Sequence, residues 1–366
     1  MTSLSEDYDY VIGVDTHARN HMYAIVRTGT GELVCEPCEF RNTADGHLAA
    51  LRWISNHTGD RSRWLAAIEG AGSYGKKVRE NFTISQIAVT EVPAAKKGAR
   101  RGKGKNDVID AINAARAALA RRKEELAQPR QGQTRDVLQV LLTVRTQDNR
   151  ERTSRINALN ALVRTCGLLR DTRKKLSAAQ IRAIAVGGLE LDGHPSIVAS
   201  ARSFAARVVE LNRQIRANEK ALRETITAWL PEVLAVPGAG PVTAARALCA
   251  WSHPGRFPTE AHFASLAGIA PIQIGSGGSF SHRLNYGGDR QLNSAIHTVM
   301  LTRIRIDQRT QDYIARRTKD GMPKRKIQRV LKRYICREIF HVLERSEAAE
   351  AMRAQAAVAT GAATAA

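Results

Sequence analysis

Tyr10-Val-Ile-Gly-Val-Asp15 is the stretch whose reading decides the fold. It is a short β-rich run that ends in a carboxylate where an apolar run would otherwise continue, which predicts a buried strand with an acid at its end. Residues 21–28 (HMYAIVRT) and 32–40 (ELVCEPCEF) predict two further strands, joined by the turn Gly29-Thr-Gly31. Leu48, Leu51 and Ile54 have helical spacing within residues 43–56. Residues 64–69 (WLAAIE) predict another buried strand, ending in Glu69; glycines follow, then a helix over 74–82 and a fifth strand over 84–92. Three consecutive strands followed by alternating helix and strand imply a mixed sheet flanked by helices. That order suits a ribonuclease-H-like fold.

The middle of the chain differs in kind. Phe204, Val208, Leu211, Ile215, Asn218, Leu222 and Trp229 repeat at coiled-coil spacing, with Asn218 as a polar interruption that fixes register. Residues 134–165 begin with Leu138, Leu141 and Leu142, turn polar over 145–155, and resume with Ile156, Leu159 and Val163. Both stretches predict a long antiparallel helical arm, suited to spacing or dimerisation. Pro231 and Pro237 open a third region, and the Ala-rich tail from about Ala348 lacks core-forming residues and reads as disordered. The expected division is residues 1–130 as an α/β domain, 131–229 as the helical arm, 230–346 as a mainly helical C-terminal domain, and 347–366 as the tail.

Composition speaks about partners. Of 366 residues, 56 are Lys or Arg and 35 Asp or Glu, for a net charge of +21 and a pI near 10.3. Basic side chains that meet phosphates release condensed counterions, so such a surface favours nucleic acid. No apolar run approaches the ~20 residues needed to span a bilayer. The N-terminal MTSLSEDYDY lacks the basic and apolar regions of a secretion signal. A cytoplasmic, nucleoid-associated protein is expected, with no membrane partner. Of five cysteines only Cys35 and Cys38 form a C-x-x-C pair, which cannot complete a four-ligand zinc site.

Four acids carry the chemical reading. Asp15 and Glu69 end two strands, and Asp107 and Asp110 lie three apart at the start of the helix DVIDAINAARAAL, hence on one face. Two-metal chemistry on phosphodiesters needs carboxylates converging from different elements, and Mg²⁺ prefers oxygen ligands. Singly, each acid has a structural explanation: a strand-end turn for Asp15, or an N-cap for Asp107. Together, beside the basic loop Lys96-Lys97-Gly-Ala-Arg100-Arg101-Gly-Lys103-Gly-Lys105, they point to a metal site next to nucleic-acid backbone. The loop does not satisfy G-x-x-x-x-G-K-[ST]. Gly70-Ala-Gly72-Ser-Tyr-Gly75 does match G-x-G-x-x-G, with Glu91 about twenty residues on. A dinucleotide-binding oxidoreductase would leave Asp15, the Asp107/Asp110 pair and the positive charge unexplained, and its strand would come first in a βαβ unit.

In the third region Leu234-Ala-Val-Pro-Gly-Ala-Gly-Pro-Val-Thr-Ala-Ala carries the Pro-Gly-x-Gly turn of helix–hairpin–helix units, which hold phosphates with backbone N–H groups. An ordinary interhelical turn fits it as well. Downstream, Ser276 is flanked by glycines that permit close backbone approach, and Arg283 and Arg290 are suited to clamp a phosphate. From chemistry alone this block could equally be a Gly/Ser loop without a catalytic role.

GVDTH around Asp15, IEGAGSYG around Glu69, RRGKGKNDVIDA, VPGAGPVTA and APIQIGSGG…HRLNYGGDRQLN occur in one order. In this the chain resembles the DEDD transposases of bacterial insertion sequences, the bridge-RNA-guided serine recombinases. The resemblance implies a resolvase-like, ribonuclease-H-fold domain, a coiled-coil arm and a C-terminal transposase domain. It implies Mg²⁺ on Asp15, Glu69, Asp107 and Asp110, and a nucleophilic Ser276 that forms a phosphoserine link to DNA. It further implies donor and target DNA paired by a noncoding bridge RNA, and a dimer or tetramer that assembles the site across protomers. Gly275 and Tyr286 depart from the Ser and Arg common at these positions in relatives, and Ser279 and Ser281 lie close to the assigned nucleophile. A hydrolytic Holliday-junction resolvase with the same carboxylates, and a non-enzymatic nucleic-acid-binding protein, are the other readings of the residues.

Overall fold

The structure, a computed structural model, describes residues 4–60, 62–92, 106–274, 281–283, 285 and 288–364. Two compact units are present: Met1–Gln131 with Trp251–His262, and Gly132–Ala250 with Phe263–Ala366.

The first unit holds a short helix α1 (Leu4–Asp7), strands β1 (Tyr10–Thr16), β2 (Asn20–Arg27) and β3 (Cys38–Arg41), helix α2 (Ala44–Thr58), strand β4 (Trp64–Glu69), helix α3 (Lys76–Ile84), strand β5 (Ala88–Val92) and helix α4 (Asp107–Leu119). The five strands form one sheet in the order β3-β2-β1-β4-β5. β1 and β2 are antiparallel, as are β2 and β3, while β1, β4 and β5 run parallel. Successive side chains point to opposite faces. Tyr10, Ile12, Val14, Tyr23, Ile25, Ala66 and Ile68 pack on one face against Ala50 and Ile54 of α2 and Val78 and Phe82 of α3. Val11, Val26, Leu65, Ala67 and Val92 pack on the other against Ala114, Ala115 and Ala118 of α4. A strand covered on both faces reads as a continuous apolar run, which is why β1 was legible.

Gly13 sets how close α4 comes. A Cβ there would stand 2.0 Å from the Ala111 carbonyl oxygen and 2.8 Å from the Ala115 nitrogen, so helix backbone occupies the space of a side chain. The small residues Ala111, Ala114, Ala115 and Ala118 are all buried at this contact.

Three expectations shift. The third strand is only Cys38–Arg41, and residues 32–37 add a single bridge, Val26 to Leu33. Pro37 has no N–H to offer a ladder. Helix α3 starts at Lys76 and continues through Ile84, and the chain turns at Gln86 (φ +59°) before β5 begins at Ala88.

In the second unit α5 (Gln133–Thr165) and α7 (Pro195–Trp229) are long and antiparallel, with α6 (Ala178–Ala185) between them in sequence. The polar middle of α5 is where the pair is cross-linked. Arg145 donates to the Ile215 carbonyl and Glu219, Arg152 to Asn212, and Arg207 to Glu151. Asn218, buried on α7, donates to the Leu141 carbonyl at 3.0 Å. Leu159, Val163, Leu168, Ile181, Ile184, Ala201, Ala205 and Val208 make the core at the α6 end.

The remainder is mostly helical: α8 (Glu232–Ala235), α9 (Pro241–Trp251), α10 (Glu260–Leu266), a hairpin of β6 (Ile272–Ile274) and β7 (Ser281–Arg283), then α11 (Arg290–Ile306), α12 (Gln308–Lys319), α13 (Lys324–Arg345) and α14 (Glu347–Thr364). The tail expected to be disordered is therefore helical as α14. Ser346 accepts the Ala349 N–H at the helix start, Ala349 is fully buried, and alanine has the highest intrinsic helix propensity.

Candidate functional site

Asp15 is the sixth residue of β1 and lies opposite Met22 of β2. The period of the sheet turns it toward α4, the face to which Val11 and Gly13 also point. Its side chain is 7% exposed. The close passage over Gly13 brings the start of α4 to the same end of the sheet. Asn106, not Asp107, caps that helix: its side chain accepts the Val108 N–H at 3.0 Å. Asp107 is thereby free of the capping role considered for it, and Asp110, in the same first turn, is buried.

Between the acids stands His17. Its Nε2 donates to Asp15 Oδ2 at 3.1 Å and lies 3.4 Å from Asp107 Oδ1. One ligand atom from each of Asp15, His17 and Asp107 falls within 4.8 Å of the others, a spacing able to hold a metal ion. Burial, first of all, pushes the Asp15 carboxyl above its ordinary range; the charge and hydrogen bond of His17 oppose this, and the negative charges of Asp110 and Asp107 add to it. The backbone N–H of His17 donates to Nδ1 of His21 at 3.2 Å. Burial, helped by the nearby His47, lowers the His21 pKa to about 4 and keeps that ring a neutral acceptor. His17 was not singled out in the sequence. Its signal was its position two residues beyond Asp15, just past the end of β1.

Glu69 ends β4, the strand beside β1, and pairs in register with Val92 of the α4-side core. Alternation places it on the same face as Asp15. Thr16 Oγ1 donates to the Glu69 carbonyl at 2.8 Å, tying the two strand ends together. The glycines that follow serve this junction. Gly70 has φ +71°, and a Cβ on Gly75 would stand 2.9 Å from Ile68 and 3.0 Å from Thr16. The G-x-G-x-x-G match thus has a local explanation as the turn that carries Glu69 into α3.

The other expected residues are placed unevenly. Lys96, Lys97, Arg100, Arg101, Lys103, Lys105, Ser276 and Ser279 lie outside the described residues. Ser281 and Arg283 are on β7, and Arg290 is exposed at the first position of α11. Much of the GGDRQLN block is structural: a Cβ on Gly288 would meet the Leu266 carbonyl, Asp289 caps α11, and Asn293 donates to the Ala267 carbonyl. The Pro237-Gly238-Ala-Gly240 turn joins α8 to α9. Arg303 of α11, itself buried, donates to the Pro237 carbonyl and to Glu338 of α13, both at 2.7 Å. Among the described residues no helix is long and apolar enough to cross a membrane.

Two family models match the chain. One, a transposase model of the DEDD IS110 type, covers residues 12–167 and so takes in Asp15, His17, Glu69, Asp107 and Asp110. The other, described as transposase IS116/IS110/IS902 family, covers residues 231–315. The chain belongs to the IS110 transposase family. A Streptomyces coelicolor protein named insertion element IS110 uncharacterized 43.6 kDa protein is 33% identical over 122 residues. That match covers 32% of this chain and only 30% of the relative's length. Within the span of the DEDD model, Asp15 stands near the end of β1, Glu69 ends β4, and Asp107 and Asp110 open α4; among these Asp15 and Asp107 come together, about His17.

Proposed function

We propose that the chain is an RNA-guided DNA transposase/recombinase of an insertion sequence, which cleaves and exchanges DNA strands through a divalent-metal centre and a phosphoserine at Ser276. The observation that carries this reading is the convergence of Asp15 and Asp107 about His17, with Asp110 buried in the same helical turn and Glu69 on the neighbouring strand end. The order β3-β2-β1-β4-β5, with β4 and β5 parallel to β1, supports a ribonuclease-H-like assignment for residues 1–130. Residues 131–229 act as the coiled-coil arm and 230–346 as the serine-bearing transposase domain.

The residues fit the metal. The strand-end and helix-start acids supply the carboxylate oxygens that a hard cation prefers, and burial of Asp15 beside two further negative charges leaves an electrostatic deficit that a cation relieves. Asp15, Glu69, Asp107 and Asp110 would hold Mg²⁺. Bound there, it would activate the attacking oxygen and stabilise the leaving one.

The chain's own groups do the rest. Asn106 fixes the first turn of α4 and His17 spans Asp15 and Asp107, so both acids are pre-positioned on rigid elements. The Ser276 hydroxyl attacks a backbone phosphate. The Oγ–P bond forms as the P–O3′ bond breaks, and the serine proton passes through solvent to the freed 3′-oxygen. That 3′-hydroxyl later attacks the phosphoserine of a partner strand, restoring the serine, so exchange needs no external energy source. The net charge of +21 suits a protein that grips donor and target DNA together with a bridge RNA, base pairing supplying the sequence readout. The protein works as a homo-oligomer in the bacterial cytoplasm, associated with the nucleoid.

The test is a covalent-adduct assay. The chain is co-expressed with RNA from the DNA flanking its gene and supplied with Mg²⁺ and labelled element-end and target DNA. Wild type is expected to leave protein-linked DNA on a denaturing gel, and Ser276→Ala and Asp15→Ala to leave none. Cleavage without adduct, unaffected by Ser276→Ala, overturns the serine step and favours a hydrolytic resolvase.

A further inference from the structure

In the second unit a cavity of about 490 Å³ lies between the polar middle of α5 and the start of α9. Its polar lining is Arg145, Arg150 and Arg246 with Thr146, Asn149 and Thr153, and no carboxylate lines it. Arg145 is held from behind by the Ile215 carbonyl and Glu219 of α7. Arg246 is different. It is half-buried on α9, and the groups that act on it are burial and the like charge of Arg145, which push its pKa down, opposed by Asp289 alone. No hydrogen bond or ion pair to Arg246 is found among the described residues.

A half-buried guanidinium, beside a second guanidinium and without a hydrogen-bonded partner, costs stability. An anion bound in the cavity would relieve that cost, and the fork of Arg246 suits a phosphate bidentately. The wall opposite α5 is the first turn of α9, through Val242, directly after the Pro-Gly-Ala-Gly turn. Helix starts favour negative charge, which adds to the same preference. The free donors are guanidiniums and hydroxyls, a set that grips backbone, and the Asn149 amide N–H is already given to the Arg145 carbonyl.

We propose that this cavity is a phosphodiester-binding site, in which Arg246 and Arg150 clamp a backbone phosphate of nucleic acid bound along the arm. The site rests on the reading of the chain as a nucleic-acid enzyme and adds to it a sequence-independent anchor in the second unit, separate from the acidic centre of the first. Its occupant is the backbone of DNA or of RNA, which share this chemistry.

The experiment measures affinity of the full chain for a labelled 30-bp DNA duplex, and separately for an RNA duplex, across a salt series. Wild type, Arg246→Gln, Arg246→Lys and Asp171→Asn are compared. Arg246→Gln is expected to weaken binding on the order of tenfold at 0.1 M salt. It should reduce the slope of log K against log salt by about 0.9 for the DNA duplex. Arg246→Lys should keep the slope while losing part of the affinity, and the exposed-surface control Asp171→Asn should leave the slope unchanged. A change with one nucleic acid only identifies that one as the occupant. Removal of an unpaired, desolvated charge should leave the melting temperature of Arg246→Gln no lower than wild type, which separates lost binding from lost folding. Wild-type binding with an unaltered slope in Arg246→Gln for both duplexes overturns the site while sparing the enzyme reading. Absence of binding by wild type overturns both.

Discussion

Gly13→Ala tests how the fold builds the acidic centre. The added methyl would stand 2.0 Å from the Ala111 carbonyl oxygen, against an ordinary C···O contact of about 3.3–3.6 Å. Strand and helix must therefore separate by more than about 1 Å, and both obstructing groups are backbone, which cannot rotate away. Overpacking typically costs about 1–3 kcal/mol, and this contact belongs at the upper end, because moving α4 also loosens Ala114, Ala115 and Ala118 against the sheet. At roughly 2–4 °C per kcal/mol for a domain of this size, ~3 kcal/mol lowers the melting temperature by roughly 6–12 °C. Gly29→Ala is the control: nothing lies within 4 Å of its added Cβ, so it should stay within about 0.5 kcal/mol of wild type. Differential scanning calorimetry of both variants, with and without Mn²⁺, reads the effect. The same displacement carries Asp107 and Asp110 away from Asp15, so Gly13→Ala should also lose the rise in melting temperature expected of wild type with Mn²⁺. A Gly13→Ala protein that melts within 2 °C of wild type and keeps its Mn²⁺ response would refute the claim that this contact positions the acids.

Other expectations follow from single contacts. Asn106→Ala removes the cap of α4 and should cost about 1 kcal/mol in urea unfolding, whereas Asp107→Ala, which is not the cap, should cost much less. Asn218→Leu replaces a buried amide bonded to a carbonyl inside α5 with an apolar side chain; stability should change by no more than about 1 kcal/mol in either direction, and a larger loss would contradict a role limited to register. His21 and His253 are both lowered from 6.5 to about 4, chiefly by burial. Each contributes stability that is present above about pH 6.5 and lost as pH falls toward 4, by up to about 3 kcal/mol. Urea midpoints should therefore drop between pH 7 and 5, and a flat profile there contradicts the burial argument. Asp15 has the opposite sign, since its raised pKa makes the ionised form costly in the native state; Asp15→Asn should raise the melting temperature at pH 7 in the absence of divalent metal.

Much of the first unit could be read from the sequence because burial on two faces writes itself as uninterrupted apolar runs. Tyr10–Thr16 and Trp64–Glu69 are such runs, and an acid at the end of each stands out. The third strand was overread, because Leu33 and Val34 look strand-like while Pro37 permits pairing only beyond it. Periodicity gives no account of what caps a helix when two capping residues stand side by side, so Asn106 and Asp107 were separable only by geometry. His17 lies past the end of its strand, outside any pattern, and acquires meaning only when α4 delivers Asp107 to it. The polar stretch 145–155 interrupts the apolar pattern of α5, yet it is where Arg145 and Arg152 cross-link α5 to α7 and where the arginine-lined cavity opens. Its residues satisfy each other across the pair, a property of two helices that one helix's sequence does not display.

Whether Asp15 and Asp107 form one metal centre is read by calorimetric titration of Mn²⁺ into the full chain in the presence of duplex DNA. Wild type should give a saturable binding isotherm that weakens sharply in Asp15→Asn and in Asp107→Asn, while the exposed-surface variant Asp171→Asn matches wild type. Isotherms that are the same in all four proteins would contradict the account, leaving the gathered acids without a metal to hold.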